Sequence, residues 1–425
     1  MKYAVIVDAY STGASLADEL KLYGITCIHV QTSAEILEYD VDSYKPEDFQ
    51  QRFVATQDLK ALTDKLAEFE PAFIIPGCES GVELADQLSE LMGTPGNGTA
   101  LSACRRDKWH MAKRLHQMDI PAARVALIHQ MSEVEAAIET IDGWPVVIKP
   151  VNSAGADGIH FCYEMVQVRH AVDKELGRLN EMGLINDTLL AMEYLAGQQY
   201  LVQAVSRDGE HFVFEIWRDN RKPVPGAGVV NDREVLIDLL SEEAAPIIAY
   251  VHQCLNAFGV NIGPSFLEVM VTANGPMLIE WAARMMGTQE LSAMTRVRGV
   301  NAVNLCAACY ADPEVFYSML DKVNRSNATC EVIGMINSVA GQVIHRRWLD
   351  ELSARPSFFK MIRAPEIGDS VAPTIGISTN YGFIYLVHED PAVTYADYLW
   401  IREKEAEATG FFDVQLSQEA VAQAC

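Results

Sequence analysis

The chain has 425 residues, of which 49% are hydrophobic, and its 58 acidic and 33 basic side chains give a formal net charge of −25. This length predicts two to three domains or subdomains with an ample core, and the charge argues against nucleic acid or an anionic membrane surface as the main partner. The nine cysteines show no metal-ligand spacing, and no apolar stretch approaches the roughly 18 residues of a membrane span. We therefore expect a cytoplasmic protein.

The first part of the chain is predicted to be an α/β domain built on short buried strands. Residues 3–7, 26–30 and 73–77 are apolar runs of strand length, and helical patterns follow at 16–22 and 82–92. Ligands of parallel α/β sheets bind outside the carboxyl ends of the strands. Residues that follow these strands are therefore candidates for lining a substrate cleft, namely Ser11, Gly13, Glu79 and Ser80. Helix caps and turns are the other interpretation.

Positive charge is concentrated in the next part of this acidic chain. A predicted helix at 102–116 carries Arg105, Arg106, Lys108, Lys113 and Arg114, which indicates either a nearby phosphate or a solvated helix face. The apolar strand 145–151 contains Lys149, whose charge is costly to bury without a partner such as a phosphate. The small-residue loop 152–158 follows, and such loops fold over phosphates and donate backbone N–H groups. A simple hairpin with a mobile loop is the alternative.

Two further strands are predicted at 189–202, joined at Ala196 and Gly197, where a hinge between lobes can present backbone groups to an adenine. The remaining elements are expected as a strand at 213–217, an amphipathic helix at 246–258, a helix ending near Gly299, short strands and turns at 331–386, and a helix at 393–410.

The most informative stretch is a predicted β-hairpin that carries two acids. A three-residue loop at 273–275, with Gly275 in the left-handed conformation, sets Glu268 directly across from Glu280. Two adjacent carboxylates in an apolar hairpin need a cation or a shared proton, and Mg²⁺ prefers such oxygen ligands beside substrate phosphates. Arg284 supplies a positive fork for a phosphoryl group or an oxyanion. An edge hairpin with solvated acids is the alternative.

The order of these parts resembles the ATP-grasp superfamily of carboxylate–amine ligases over essentially the whole chain. The parts are, in order, Lys108, Lys149 with its small-residue loop, the hinge at Glu193, the pair Glu268 and Glu280, and Arg284. Within the superfamily, the chain is most similar to bacterial L-amino-acid ligases, which make dipeptides and related amides. The stretches that carry this similarity are 77–81, 96–97, 105–108 and 146–158.

The resemblance implies a fold of the α/β (α+β) class. We expect an N-terminal Rossmann-like domain with a parallel sheet at 1–100 and a helix with a small lid subdomain at 101–195. A catalytic domain with an antiparallel sheet and the metal-binding hairpin is expected at 196–340, followed by a C-terminal α/β extension at 341–425.

The resemblance also implies cofactors and residue roles. ATP and Mg²⁺ are the expected cofactors, with Mn²⁺ as a substitute. The residues expected to contact ATP are Lys108, Lys149, Ser153, Gly155, Glu193, Tyr194, Leu195 and Gln199. Glu268 and Glu280 are expected to hold the metal, and Arg284 and Lys149 to act in catalysis.

Three more residues are expected to contact substrate. They are Glu79, which we expect to grip an ammonium group, its neighbour Ser80, and Thr288, which we expect to shape the acyl pocket.

Two positions depart from the superfamily pattern. Ala282 stands where many members have an asparagine that binds metal, although the dipeptide-ligase branch tolerates this change. Gln199 stands where an acid usually binds the ribose. Its amide can still hydrogen-bond a hydroxyl, so the inference about the nucleotide is weakened rather than lost.

The expected reaction is the ATP-dependent joining of a carboxylic or amino acid to an amino acid through an acyl phosphate, in dipeptide or peptide-antibiotic biosynthesis. A carboxylase or purine-pathway ligase of the same superfamily is one alternative, and a nucleotide-binding regulator without turnover is another. The expected partners are small-molecule substrates and a second copy of the chain in a homodimer, with no nucleic acid and no membrane. The sequence does not identify the acid or the amine.

Overall fold

The structure is a computed structural model, and it describes residues 2–56, 58–153, 157–224, 228–323, 328–375, 379–407 and 411–416. The chain forms two compact units. The first comprises Met1–Ile216, Leu239–Gln289 and Asn301–Val323, and the second comprises Trp217–Asp238, Glu290–Val300 and Asn324–Cys425. The expected division into four domains stays a prediction.

The first unit begins with a parallel sheet, which confirms the predicted fold class of this part. Its strands are β1 (Lys2–Val7), β2 (Ile25–Gln31), β3 (Phe49–Val54) and β4 (Ile74–Pro76), in the order β3-β2-β1-β4. Its helices are α1 (Leu16–Lys21), α2 (Glu38–Val41), α3 (Leu59–Ala67) and α4 (Val82–Met92). Strand β3 was not predicted, because its central residues Gln50, Gln51 and Arg52 are exposed and polar.

An antiparallel sheet follows in the same unit. The elements are α5 (Lys108–Gln117), β5 (Val125–Ile128), α6 (Val134–Ile141), β6 (Val146–Pro150), β7 (His160–Cys162), α7 (Met165–Glu175) and β8 (Leu189–Glu193), and the strand order is β5-β8-β6-β7. The predicted helix 102–116 is divided into a 3₁₀ turn at Ser102–Arg105 and helix α5. The division occurs because Asp107 is extended and caps α5, its carboxylate accepting a hydrogen bond from the backbone N–H of His110 at 2.9 Å.

The next strands form the sheet that carries the acidic hairpin. The elements are β9 (Gly197–Arg207), β10 (Glu210–Val224), β11 (Gly228–Leu236), α8 (Ala244–Ala257), β12 (Gly263–Thr272) and β13 (Gly275–Ala282). Strands β13, β12, β9 and the first part of β10 are neighbours in the first unit. The end of β10 and all of β11 belong to the second unit. Helices α9 (Leu291–Arg298), α10 (Ala302–Ala311) and α11 (Pro313–Leu320) follow, of which α9 lies in the second unit.

The second unit has its own core. Its later elements are β14 (Thr329–Gly334), β15 (Gly341–His345), α12 (Arg347–Ser353), β16 (Phe358–Ile362), β17 (Ser370–Val371), β18 (Phe383–His388), α13 (Pro391–Glu405) and β19 (Asp413–Leu416). Strands are neighbours in the orders β10-β11-β14-β18-β16 and β17-β15-β19. Ile333, Trp348, Ile384 and Phe412 are buried together between these elements. Within the described residues, no helix has both the length and the apolar character needed to cross a membrane.

Candidate active site

The two hairpin acids face each other as predicted, but the predicted loop was wrong. Thr272 pairs with Gly275, so the loop has two residues rather than three. With that loop alone, Glu268 would lie across from Ile279. The register shifts by one residue between Glu268 and Val269, and this β-bulge brings Glu280 opposite Glu268.

The local sequence explains the tight turn, whereas the bulge residue packs against a cluster that includes distant parts of the chain. The hydroxyl of Thr272 accepts a hydrogen bond from the backbone N–H of Asn274 at 3.0 Å and donates one to the carbonyl of Gly275 at 3.0 Å. Gly275 has a φ of 106°, which glycine adopts at little cost. Ile279, the residue at the bulge, packs against an apolar cluster with Met270 and Met277. The hairpin thus presents two carboxylates on one side of the strand pair.

Lys108 joins the hairpin to the loop that follows β6. It is the first residue of α5 and only 7% exposed. Its Nζ lies 2.9 Å from Oε1 of Glu280 and donates a hydrogen bond at 3.0 Å to the carbonyl of Ser153. This cation therefore fixes one of the two predicted metal ligands relative to the start of the predicted phosphate loop.

Lys149 lies in the middle of β6 and is 3% exposed. Among the described residues, its Nζ has neither a hydrogen bond nor an ion pair. The pKa of Lys149 is lowered to about 8, chiefly by burial and also by the positive charge of Lys108. The charges of Glu280 and Glu268 raise this pKa but do not outweigh burial. A buried cation of this kind is stabilised by any anion that binds beside it, which agrees with the predicted phosphate contact.

The predicted phosphate loop is described only at its two ends. Ser153 is buried, and its hydroxyl donates a hydrogen bond to Oδ2 of Asp157 at 3.0 Å. Asp157 is also bound by Arg178 at 2.5 Å and accepts from the backbone N–H of Glu181. Gly155, predicted to contact ATP, lies outside the described residues. The two ends of the loop are therefore anchored by polar side chains.

The predicted hinge follows β8, and its three residues have different surroundings. Glu193 accepts hydrogen bonds at 3.1 Å from both the backbone N–H and Nε of Arg124. Burial raises the pKa of Glu193, but these bonds outweigh burial and hold the pKa below its ordinary value. Tyr194 is 40% exposed, and Leu195 is buried. The Glu193 carboxylate is therefore engaged by protein, which leaves the backbone of the hinge as the group available to a base.

An apolar pocket adjoins the hinge. The sheet β5-β8-β6-β7 lies in the predicted lid subdomain and is called the lid sheet here. Leu195 belongs to a cluster with side chains of the lid sheet and the hairpin, including Val147, Leu190, Met192, Met270 and Ile279. A pocket lined by Lys108, Leu190, Met192 and Ile279 opens beside this cluster. The apolar character of these walls matches the face of a flat aromatic ring, whose polar edge would meet the hinge backbone.

Gln199 contacts the first of the two hairpin acids. It is buried on β9, and its Nε2 donates a hydrogen bond at 2.9 Å to Oε2 of Glu268. It therefore orients the first hairpin acid, as Lys108 orients the second. The ribose contact expected for Gln199 stays a prediction.

Arg284 follows β13 and is bound by Glu79, an acid outside the hairpin. Its Nε donates to Oε2 of Glu79 at 2.9 Å, and its guanidinium lies over the ring of Phe266, 5.3 Å from the ring centre. Arg106 lies 3.0 Å from the other carboxylate oxygen of Glu79. Burial raises the pKa of Glu79, but the charges of Arg284, Arg106 and Lys108 outweigh burial and lower it. The ammonium contact expected for Glu79 stays a prediction, and its carboxylate already binds two guanidinium groups.

The other predicted cleft residues at the strand ends make hydrogen bonds or close packing contacts with neighbouring segments. The hydroxyl of Ser80 donates to Oδ2 of Asp8 at 2.5 Å, and the backbone N–H of Thr288 donates to Oγ of Ser11 at 3.2 Å. Gly13 packs so closely that an added Cβ would meet the carbonyl oxygen of Gly77 at 2.1 Å. The glycine at 13 is thus required for packing, whereas the serines lie where a ligand of the parallel sheet would bind.

Sequence reasoning missed several residues of this site. Arg106 was noted only as part of a basic helix and of the stretch 105–108, without a role of its own, and Arg124 was not singled out. Gln203 of β9 accepts a hydrogen bond from the backbone N–H of Met286 at 3.0 Å and so positions the segment after Arg284. No local pattern marks these residues, since each acts on a group more than 25 positions away.

The donor set fits a magnesium site completed by substrate. Glu268 and Glu280 offer carboxylate oxygens from adjacent strands, and both are oriented by neighbouring side chains. In the described part of the chain, no group of three or more histidine, cysteine, aspartate or glutamate side chains is arranged to hold a metal. Two carboxylates supplemented by phosphate oxygens are a common arrangement for Mg²⁺.

Comparison with known proteins identifies the domain that carries this site. Residues 142–292 match the family described as the ATP-grasp domain. A relative from Enterobacter agglomerans, dapdiamide A synthase, is 26% identical over 424 residues, covering 95% of this chain and 96% of its own length. The phosphoribosylamine–glycine ligase of Methanothermobacter thermautotrophicus is 26% identical over 257 residues, covering 53% of this chain and 57% of its own length.

A solved structure shows the same fold. The L-amino acid ligase from Bacillus licheniformis superposes with a TM-score of 0.74 at 18% sequence identity, and the match covers 95% of this chain and 97% of that one. The mixed α/β architecture predicted from the sequence is thereby confirmed.

Proposed function

We propose that this chain is an ATP-grasp carboxylate–amine ligase, and that it joins an amino-acid-type acyl donor to an amino acid. The carboxylate of the donor attacks the γ-phosphorus of ATP, which gives ADP and an acyl phosphate. The amine of the second substrate then attacks the acyl carbon, and phosphate leaves as the amide forms. The similarity to dapdiamide A synthase along almost the whole of both chains supports a place in peptide or peptide-antibiotic biosynthesis.

One observation carries this proposal. Lys108 contacts both Glu280 and the carbonyl of Ser153, and Lys149 is buried beside them without an anionic contact among the described residues. Two cations and two carboxylates therefore surround the place where a triphosphate and its metal fit. Mg²⁺, or Mn²⁺ in its place, would be held by Glu268 and Glu280 and would neutralise phosphate charge during transfer.

The protein's own residues supply the remaining chemistry. The positive charge of Lys149 attracts the phosphates, and Lys108 fixes the orientation of Glu280. The apolar pocket beside Leu195 binds the adenine, with the hinge backbone at its polar edge. Arg284, held by Glu79, stabilises the oxyanion as the amine attacks. Closure of the lid sheet excludes water, which would otherwise hydrolyse the acyl phosphate.

The experiment is ADP release from MgATP against a panel of paired amino acids, with mass spectrometry of the products. Release that requires both substrates, with a product mass equal to their sum less one water, supports the proposal. Single-substrate ADP release without a new amide contradicts it. Clear MgATP binding without ADP release for any pair would favour a nucleotide-binding regulator.

A purine-pathway ligase is the second candidate, because the similarity to phosphoribosylamine–glycine ligase covers about half of each chain. Glycine with phosphoribosylamine generated in the assay is therefore included in the panel. ADP release with that pair alone would favour the second candidate. We also propose that the protein is a cytoplasmic homodimer, and its mass in solution, measured by light scattering, tests the dimer.

A further inference from the structure

Two buried acids lie at the carboxyl end of the parallel sheet, outside the ATP site. Asp8 follows β1 directly and is 1% exposed, and Asp40 lies in the short helix α2 after β2 and is 7% exposed. Burial of a carboxylate is costly unless hydrogen bonds or a positive charge compensate it. The two acids differ in how this cost is met.

Asp8 is satisfied by protein groups, and Asp40 is not. The Asp8 carboxylate accepts hydrogen bonds from the backbone N–H of Thr32 at 2.9 Å, from the hydroxyl of Thr32 at 2.6 Å, and from the hydroxyl of Ser80 at 2.5 Å. Within the described residues, the Asp40 carboxylate has no hydrogen bond and no ion pair. Burial, and to a smaller extent the charge of Asp8, together raise the pKa of Asp40 to about 6.

Two chains of contacts connect these acids to Arg284. In the first, Arg284 binds Glu79, and the adjacent Ser80 donates to Asp8. The acid pair therefore lies on the side of the site where the acyl group and its oxyanion are expected, rather than on the adenine side.

The second chain passes through the segment after Arg284. The backbone N–H of Thr288 donates to Ser11, whose own N–H donates to the hydroxyl of Ser43 at 2.8 Å. That hydroxyl donates to the carbonyl of Asp40 at 2.7 Å. Both Ser11 and Thr288 have positive φ values, 52° and 53°, so this contact is maintained against backbone preference.

The surroundings of Glu79 and those of Asp40 carry excess charge of opposite sign. Glu79 is bound by both Arg284 and Arg106, so the surroundings of Glu79 carry excess positive charge and repel a cation. The surroundings of Asp40 carry excess negative charge. A substrate with a carboxylate toward Arg284 and an ammonium toward Asp40 matches both ends.

We propose that Asp40, assisted by the charge of Asp8, binds the ammonium group of the acyl donor. This inference rests on the proposed ligase function, and it assigns the residue that recognises the amino group of the proposed donor.

The bound ammonium belongs to the donor rather than to the attacking amine. An amine attacks an acyl phosphate only in its neutral form, whereas two adjacent carboxylates stabilise the protonated form and raise the pKa of the amine. An amine held at Asp40 is therefore unreactive. The pair thus protects the donor's own amine and determines which substrate supplies the carboxyl group.

The test compares amino acids with the corresponding acids that lack the amino group. L-Alanine with propionate and L-leucine with 4-methylpentanoate serve as donor pairs, each with MgATP and the same acceptor. The proteins are wild type, Asp40→Asn, and the control Asp42→Asn, which changes an exposed acid two positions away. We expect wild type and Asp42→Asn to prefer the amino acid by at least tenfold in kcat/KM, and Asp40→Asn to lose most of this preference through KM.

Two outcomes overturn the inference: equal discrimination by wild type and Asp40→Asn, or turnover of the acids that lack the amino group as efficiently as of the amino acids. Absence of ADP release by wild type with every pair would instead contradict the ligase function. In that case, thermal shifts with the same compounds still test the site, because an amino acid should stabilise wild type and not Asp40→Asn. No shift with any amino acid would overturn the inference as well.

Discussion

Nε of Arg284 donates a hydrogen bond to Oε2 of Glu79 at 2.9 Å, although 205 positions separate the two residues. The contact joins the turn after the last strand of the parallel sheet to the end of the hairpin that carries Glu268 and Glu280. It orients a guanidinium at the place that we propose for the developing oxyanion. Glu79 is thus a positioning residue for Arg284 in addition to any contact with substrate.

Replacement of Glu79 with Gln should lower kcat by about 10- to 100-fold, because Arg284 loses its charged partner and its orientation. A positioning role lowers kcat equally for donors with and without an amino group. If Glu79 instead binds the ammonium group of the donor, the replacement raises KM only for donors that carry an amino group. Steady-state kinetics with L-alanine and propionate separate these outcomes, and an unchanged kcat for both would contradict the positioning role.

Parts of this site were predictable because charge in an apolar run is a strong local signal. Lys149 in β6 and Glu268 and Glu280 in the hairpin stand out in this way, and the fold brings the three side chains near one another. The bulge at Ile279 could not be predicted, since it depends on packing against Met270 and other residues distant in sequence.

Other parts gave no local signal. Asp40 lies in a segment rich in acids and tyrosine that resembles an ordinary exposed loop, and only the fold shows that its carboxylate is buried. Arg124 and Glu193 are 69 positions apart, and either residue alone resembles a surface charge. The order of the elements that carry the site was therefore available from sequence, whereas the partners of individual side chains required the structure.

Replacement of Lys149 with Met should weaken MgATP binding by about 10- to 100-fold, since the phosphates lose a buried positive charge. The apolar side chain also removes the cost of burying an ammonium, so the protein without nucleotide should be as stable as wild type or more stable. Calorimetric titration with MgATP and thermal unfolding measure the two effects. Lys113→Met, which removes a cation from the same protein outside the site, is the control. A stable Lys149→Met protein with unchanged MgATP affinity would contradict the phosphate contact.

Replacement of Glu280 with Gln should reduce ADP release at least 100-fold, and raising the Mg²⁺ concentration should restore part of it if the defect is in metal affinity. Lys108 then loses its ionic partner, so some loss of MgATP affinity is also expected. The control is Glu210→Gln, which changes an exposed acid at the start of β10. Full activity of Glu280→Gln at low Mg²⁺ would show that the hairpin acids do not hold the metal.

Replacement of Asp40 with Asn should stabilise the protein, and more so at high pH. The pKa of Asp40 is raised from 3.8 to about 6 by burial and by Asp8, so the folded protein holds this proton more tightly than the unfolded chain. Wild-type stability therefore falls as pH rises from 3.8 to about 6, whereas Asn does not titrate. The stability gap between variant and wild type should widen by roughly 2 kcal/mol between pH 4.5 and pH 8.

Urea unfolding at the two pH values measures this gap, with Asp42→Asn as the control. The ionisable groups that interact with Asp40 are Asp8 at the end of β1, Tyr39 in the same helix and Cys78 after β4. None of them carries positive charge, so none offsets the cost of ionising Asp40. A gap that is equal at both pH values would mean that Asp40 does not keep a raised pKa. A gap that widens with pH would show that ionised Asp40 destabilises the folded protein. Such a destabilising acid is expected where the residue serves to bind a cation.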